Sequence, residues 1–488
     1  MKKLIWTYST FLVLLPLFYV LHHNNELFGF ISLKDSIIAL LISSGFIALI
    51  YFISRSAIFT FLLAIFMLYF GVMHDFLKSA TNPFFSSYKI VVPVLFLLVL
   101  FLAWYTKRSP TRLKKTSVYL NLLMIFFVLI EIFSLGINYR KYSSHKNLIY
   151  PQKEICSNFS AGADSTRPDI YFLVFDAYTN NTTLKQVWNF NNDSFRNFLR
   201  EKGFYTAELS RSNYNFTPYS ISSTFNMNYL PQKFGSIGTI PSLMLRGVNS
   251  MTDNETFCIL KKLGYDIRFL APFNSTIEDI GLFKEFNDFG EKQLYNQTFP
   301  IRAQRDIGWN FIKRPKTPED DPAYKNFVQR ATDIQTTIDS VKSSAFSAAK
   351  SNKFIYAHLM ITHQPHLFDS SGNLRKGKDL VKQDNLFDTY TDQIKYANKI
   401  ITDLVTHIQT HNKKNTIIII EGDHGFRDFP GNKKDLQFPN LYAVYFPRQD
   451  YFELNQKMTP VNTFRIVFNH YFGQNLPLLK DSSVFVNY

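Results

Sequence analysis

The stretch "TIIIIEGDHGF", residues 416–426, sets four isoleucines directly against Glu421-Gly422-Asp423-His424-Gly425. A β-branched run with no polar alternation suits a strand buried on both faces, the central position of a mostly parallel sheet. In such sheets ligands bind just beyond the carboxyl ends of the strands. The polar cluster begins where this run stops.

Runs of the same kind recur along the second half of the chain. Ile170–Phe175 is followed by Asp176, Phe354–Ile361 by Thr362-His363-Gln364-Pro365-His366, and Leu441–Phe446 closes the series. Between them, "NDSFRNFLREKGF" (192–204) and "ETFCILKKLGYDIRFL" (255–270) read as helix-turn-strand units, each helix closed by a Gly. Residues 328–352 and 390–411 carry helical periodicity with polar outer faces. No internal repeat is evident. The expected class is α/β, a central mostly parallel sheet flanked by helices.

The first part of the chain reads differently. Leu4–Leu21, Ile37–Ile53, Ala57–Met73, Ile90–Tyr105 and Ser117–Phe133 are almost wholly apolar. Each approaches the ~20 residues that cross a ~30 Å hydrocarbon layer as a helix. Five such runs exceed any soluble core, so a five-helix transmembrane bundle is expected over residues 1–136. Glu131 is the one carboxylate within these runs, and such a residue faces other helices rather than lipid. The first run lacks a small-residue cleavage site and reads as an uncleaved helix. The polar stretch 137–167 reads as a linker, and 168–488 as an exported domain.

Composition excludes some functions. The formal charge of +15 would suit nucleic acid, but an exported domain meets none; anionic lipid headgroups or polyanionic glycan fit better. The two cysteines, Cys156 and Cys258, both fall in the exported part, where a disulfide is permitted; the sequence leaves their pairing open. Asn-x-Ser/Thr sequons are abundant, among them those at Asn158, Asn180, Asn215, Asn254 and Asn274. A glycan on Asn215 would obstruct Thr217, so a working site there favours a bacterial envelope over a eukaryotic secretory route.

Carboxylates and imidazoles are ligands that Zn²⁺ takes, while Mn²⁺ leans toward oxygen. Asp176 at one strand end and Asp423-His424 at another can together build one metal site. Each residue alone has a plainer reading: a helix cap for Asp176, a turn for Asp423-His424-Gly425, a surface loop for His363. Their shared placement at the ends of three apolar runs favours the site. Thr217-Pro218 joins them. Thr is a good N-cap, Pro suits the first helical position, and a helix amino terminus favours a bound phosphate. A Thr hydroxyl on a divalent metal there could attack phosphorus.

With these motifs in this order, residues 168–446 resemble the catalytic domain of the alkaline phosphatase superfamily, in its sulfatase-like branch. The membrane helices extend the likeness to phosphoethanolamine transferases and lipoteichoic acid synthases, whose nucleophile is a Thr in a T-x-x-S context; Thr217-Pro218-Tyr219-Ser220 fits. The resemblance implies metal ligands at Asp176, Thr217, Asp423 and His424, with catalytic Thr217 and with His363 at the substrate phosphate. Asp176 stands where many such transferases have Glu, as sulfatases often do. The C/S-x-P-x-R motif of true sulfatases is absent, which disfavours sulfate ester hydrolysis. The next His after the Asp-His-Gly motif is His470, which argues for a single metal and leaves phosphate binding to Arg427 or Lys433.

The expected function is a metal-dependent phosphotransferase of the bacterial inner membrane, with Zn²⁺ as cofactor and Mn²⁺ as the alternative. Its partners would be membrane lipids: a phospholipid donor of a phosphoethanolamine or phosphoglycerol headgroup, and an envelope glycan or lipid acceptor. A hydrolase on the same site, or a non-catalytic membrane scaffold, are the other readings. Orientation follows from Lys and Arg near the helix ends. With the amino terminus cytoplasmic, the inner side holds Lys2, Lys3, Arg55, Lys107, Arg108, Arg112, Lys114 and Lys115, against Lys34, Lys78 and Lys89 outside. A reporter enzyme fused after Lys115 is therefore expected to be active only in the cytoplasm, and one fused to the carboxyl terminus only outside it. A cytoplasmic carboxyl terminus would remove envelope substrates from consideration.

Overall fold

The computed structural model describes residues 9–486, apart from 30, 82–83, 145–152, 163–166, 231–246, 249, 272–288, 309–316, 318–321, 347–350, 377–379, 381–384, 413–414, 430 and 432. Lys2, Lys3, the start of the first apolar run, Asn274 and parts of the 137–167 linker lie outside the described residues. In chain order the first elements are α1 (Thr10–Glu26), α2 (Leu33–Ser54), α3 (Ala57–Ala80), α4 (Tyr88–Lys107), α5 (Pro110–Ser144) and α6 (Glu154–Asn158). There follow β1 (Asp169–Phe175), α7 (Asn181–Trp188), α8 (Asp193–Glu201), β2 (Tyr205–Thr206), α9 (Thr217–Asn226), α10 (Glu255–Lys262) and β3 (Asp266–Leu270). The remainder comprises α11 (Phe289–Asn296), α12 (Phe299–Ile307), α13 (Pro322–Ala345), β4 (Lys353–Leu359), α14 (Leu386–His411), β5 (Thr416–Glu421), β6 (Tyr442–Tyr445) and α15 (Thr463–Phe472).

The chain divides into two compact units: Met1–Lys146 with Ser236–Leu245 and Asn287–Arg314, and Asn147–Gly235 with Arg246–Phe286 and Pro315–Tyr488. In the first unit, among the described residues, four helices, α2 to α5, are long and apolar enough to cross a membrane. The described part of α1 is shorter, at 17 residues, and ends in the polar run His22-His23-Asn24-Asn25-Glu26. Leu41, Phe52, Leu97 and Phe101 stand exposed on α2 and α4, as lipid contact requires. Glu131 on α5 is buried against α1, where His22 Nδ1 lies 2.8 Å and Asn25 Nδ2 2.6 Å from its carboxylate oxygens. Those bonds offset the cost of removing a carboxylate from water.

The first unit also takes in α11 and α12, which the sequence reading placed in the second domain. Phe299 packs on Phe66 and Phe70 of α3, and the buried Arg302 pairs with Asp75. The partners lie more than two hundred residues earlier, so no local pattern announces this docking.

The second unit is built on one six-stranded sheet, in the order β2–β6–β5–β1–β4–β3. β1 lies parallel between β5 and β4, β3 is parallel to β4, and β6 runs antiparallel to β5. All seven residues of β1 and of β4 and all six of β5 are buried, which explains the unbroken apolar runs. On β1, Ile170, Phe172 and Val174 face a core shared with α9, α10 and α15. Tyr171, Leu173 and Phe175 face the other core, filled by α7, α8, α13 and α14. The expected α/β fold with a mostly parallel sheet is present.

Cys156 on α6 and Cys258 on α10 form a disulfide, closing a separation of 102 residues. The Glu255 carboxylate accepts the backbone N–H groups of Ile155 and Cys156 beside it. A crosslink closing a loop of this length stabilises mainly by restricting the unfolded chain, commonly by about 2–4 kcal/mol. Replacing both cysteines with Ser is expected to lower stability by that amount, read as a fall in melting temperature that reductant reproduces in the native protein.

Candidate active site

Parallel pairing of β1 with β5 sets Val174 opposite Glu421, so the residues after each strand emerge side by side. Asp176 continues the ladder on the other flank, its N–H donating to Leu359 O at 3.0 Å at the end of β4. Three buried side chains then converge. His424 Nε2 lies 3.5 Å from Asp176 Oδ1 and 3.5 Å from Asp423 Oδ2. None of these three atoms has a hydrogen-bond partner among the described residues.

The other atoms of the same groups are all held. Asp423 Oδ1 accepts the Ala177 N–H at 3.0 Å, and Asp176 Oδ2 faces His358 Nε2 at 3.0 Å. His424 Nδ1 donates to the Gly425 carbonyl at 2.7 Å, which leaves the Nε2 lone pair directed at the two carboxylates. Burial alone would raise the pKa of Asp176, but the imidazoles of His363, His358 and His424 outweigh it and hold the carboxyl well below the usual range. Burial, helped by Arg427, pushes the pKa of His424 down. Two ligands about 2.0–2.1 Å from a tetrahedral zinc ion stand roughly 3.3–3.5 Å apart. The donor set and its spacing fit a divalent cation.

The glycines of the motif permit this loop. A Cβ on Gly422 would stand 2.2 Å from the Tyr178 carbonyl oxygen, and one on Gly425 2.6 Å from that of Pro439. The chain is clamped there by Gly422 N–H to Leu441 O and Leu441 N–H to Tyr178 O, both 2.8 Å. Ala177 adopts a left-handed φ of 62°, turning the chain so that its N–H reaches Asp423.

Thr217 is the first residue of α9 rather than its cap; Phe216, in an extended conformation, is the N-cap, and Pro218 follows within the first turn. The shift is one residue, because Thr217 already has helical backbone angles. Its hydroxyl makes no hydrogen bond to a described residue. Ser220, one turn on, donates to the Asp423 carbonyl at 2.5 Å, which pins α9 to the Gly422-Asp423-His424 loop and engages the Ser220 hydroxyl. Asn215 is buried with its amide tied to Gln437 and Val486, leaving no room for a glycan.

His363 is half-buried. Its Nδ1 donates to the Gln364 carbonyl at 2.5 Å, and Nε2 accepts from Arg427 Nη2 at 3.0 Å. Thr362 donates to the Asp176 carbonyl, tying this loop to β1. His366 is a core residue, bonded to Thr389 and pushed down to about 3 by burial. His470 pairs with Glu453. Sequence reasoning gave no role to His358, whose only signal was a lone imidazole inside an apolar run. It gave none to Glu421 either, a buried carboxyl that desolvation and Asp423 push well above its usual pKa.

A family profile described as Sulfatase matches residues 208–465, spanning α9 and the Asp-His-Gly motif. The chain belongs to the sulfatase family. It is thus an enzyme of the alkaline phosphatase superfamily. No curated protein sequence matches the chain. Among solved structures, it is similar to the lipooligosaccharide phosphoethanolamine transferase A of Neisseria meningitidis, an integral membrane protein: 12% identity over 95% of each chain, TM-score 0.40. It is also similar to the C-terminal periplasmic domain of EcEptC from Escherichia coli in complex with Zn, at 11% identity over 64% of this chain and 85% of that one, TM-score 0.40.

Gly422→Ala would drive a methyl group into a backbone carbonyl that cannot step aside. The variant is expected to lose about 1–3 kcal/mol of stability, as overpacking does, and to bind zinc more weakly than the native protein. Melting curves and zinc titration check both; an unchanged melting temperature would show that the loop is not clamped.

Proposed function

We propose that this sulfatase-family enzyme transfers a phosphoethanolamine- or phosphoglycerol-type headgroup from a phospholipid to a glycan or lipid acceptor in the bacterial envelope. The observation that supports this reading best is the Thr217 hydroxyl, which has no hydrogen-bond partner among the described residues, on a helix whose next turn is pinned to the loop bearing Asp423 and His424. A Thr in place of the Cys or Ser of true sulfatases can form a phosphate ester without prior oxidation. The apolar helices α2 to α5 suit an enzyme whose donor is a membrane lipid.

Asp176, Asp423 and His424, with the Thr217 hydroxyl as fourth donor, would hold the cation, Zn²⁺ by this donor set and Mn²⁺ as the alternative. Such a cation supplies Lewis acidity, lowering the pKa of the threonine hydroxyl and offsetting charge on the phosphoryl oxygens. Thr217 Oγ1 attacks the phosphorus of the donor phosphodiester, and the bond to the diacylglycerol oxygen breaks. The anionic substrate draws Arg427 onto a non-bridging oxygen, which frees His363 Nε2 to take the threonine proton and pass it to the leaving oxygen. In the second half, an acceptor hydroxyl attacks the same phosphorus, His363 takes its proton, and that proton returns to Thr217 as the ester breaks.

The test is Thr217→Ala and Thr217→Ser in cells whose envelope lipids and glycans are weighed by mass spectrometry. Thr217 is buried but is not the cap, so Thr217→Ala should cost about 1 kcal/mol of stability, as a typical point substitution does, while abolishing the modification. Thr217→Ser keeps a hydroxyl and should retain part of it, and a phosphopeptide should map to Thr217. A modification that persists in Thr217→Ala, or release of the headgroup to water without an acceptor, would overturn the transferase reading.

A further inference from the structure

Asp176, His358 and Asp423 each offer a donor atom within 4.8 Å of the others, so by distance alone His358 would be a second imidazole ligand to the cation. Its hydrogen bonds argue otherwise. Nε2 lies 3.0 Å from Asp176 Oδ2, and an ionised carboxylate only accepts, so Nε2 carries a proton. Nδ1 lies 2.8 Å from the Tyr356 hydroxyl. Either the phenol donates to the Nδ1 lone pair or Nδ1–H donates to the phenol. In both cases neither ring nitrogen has a lone pair left for a metal.

We infer that His358 is a positioning residue, with Tyr356 behind it, that selects which oxygen of Asp176 faces the cation. By holding Oδ2 it leaves Oδ1 as the one turned toward His424, and Asp176 binds through one oxygen only. The Ala177 N–H does the same for Asp423 by holding Oδ1. The site therefore takes one imidazole, from His424, and two single carboxylate oxygens. The usual arrangement, in which a carboxylate orients a ligating histidine, is here reversed. His358, Tyr356 and Asp176 are all buried, and β4 lies beside β1 in register up to Phe175 and Leu359, so the relay is built into the sheet. This inference rests on the metal site proposed above.

The experiment is X-ray absorption at the zinc edge on the full-length protein in detergent, loaded with one equivalent of Zn²⁺, with zinc affinity measured in parallel. The native spectrum should show the scattering of one imidazole, and His358→Gln should leave that count unchanged. His358→Ala should weaken zinc binding by about 10–100-fold, the usual effect of losing such a partner. His358→Gln should restore part of the loss, because its amide can donate to Oδ2, and Tyr356→Phe should weaken binding less than His358→Ala. Two imidazoles in the native spectrum would overturn the inference alone, and so would native affinity in His358→Ala. A native protein that takes up no divalent cation would overturn the metal reading itself. Should His358→Ala fail to fold, as circular dichroism would show, the native spectrum still decides.

Discussion

The parallel pairing of β1 with β5 is the contact on which the site depends. It sets Val174 beside Glu421, so that Asp176 and the Gly422-Asp423-His424 loop leave the sheet at the same level and on the same edge. Neither strand could slip without moving one carboxylate to the opposite face, because side-chain direction reverses with every residue. Burial on both faces holds that register, and the cores on the two sides supply the energy.

That register brings two carboxylates and an imidazole into one buried volume. Two negative charges at such distance would repel strongly in a low-dielectric interior. The arrangement is tolerable because one oxygen of each carboxylate is hydrogen-bonded to the protein, by His358 and by the Ala177 N–H, and because a cation can compensate the rest. The same economy of partners explains the loop. Gly422 must lie against the Tyr178 carbonyl for Asp423 to reach Ala177, and Ser220 must reach over to the Asp423 carbonyl for α9 to be fixed at the site. Helix, loop and strand end are thus coupled through bonds between a side chain and a backbone group: the Ser220 hydroxyl to the Asp423 carbonyl, and the Ala177 N–H to the Asp423 carboxylate.

The unit of long apolar helices follows a different physical rule. Without water to solvate them, its polar groups must pair within the helices, and Glu131 does so with His22 and Asn25. The docking of α12 on α3 uses an aromatic cluster, with Arg302 as its buried charge.

The sequence by itself determined the α/β class, the central strands and the long apolar helices. These rest on local patterns: unbroken apolar runs for strands buried on both faces, and longer ones for helices in lipid. It also brought Asp176, Thr217, Asp423, His424 and His363 under suspicion, because strand ends and a Thr-Pro helix start are visible locally. Tertiary structure alone decided the rest. That Cys156 meets Cys258, that Phe299 and Arg302 pack with the apolar helices, and that His363 carries Arg427 are contacts between distant positions. The clearest case is His358, one polar residue in an apolar run. Whether such a residue ligates, orients or merely fills space depends on which atoms its two nitrogens meet, and those atoms belong to β4 itself and to the end of β1, over 180 residues away. Sequence periodicity records the direction of a side chain; only the packed sheet assigns its partners.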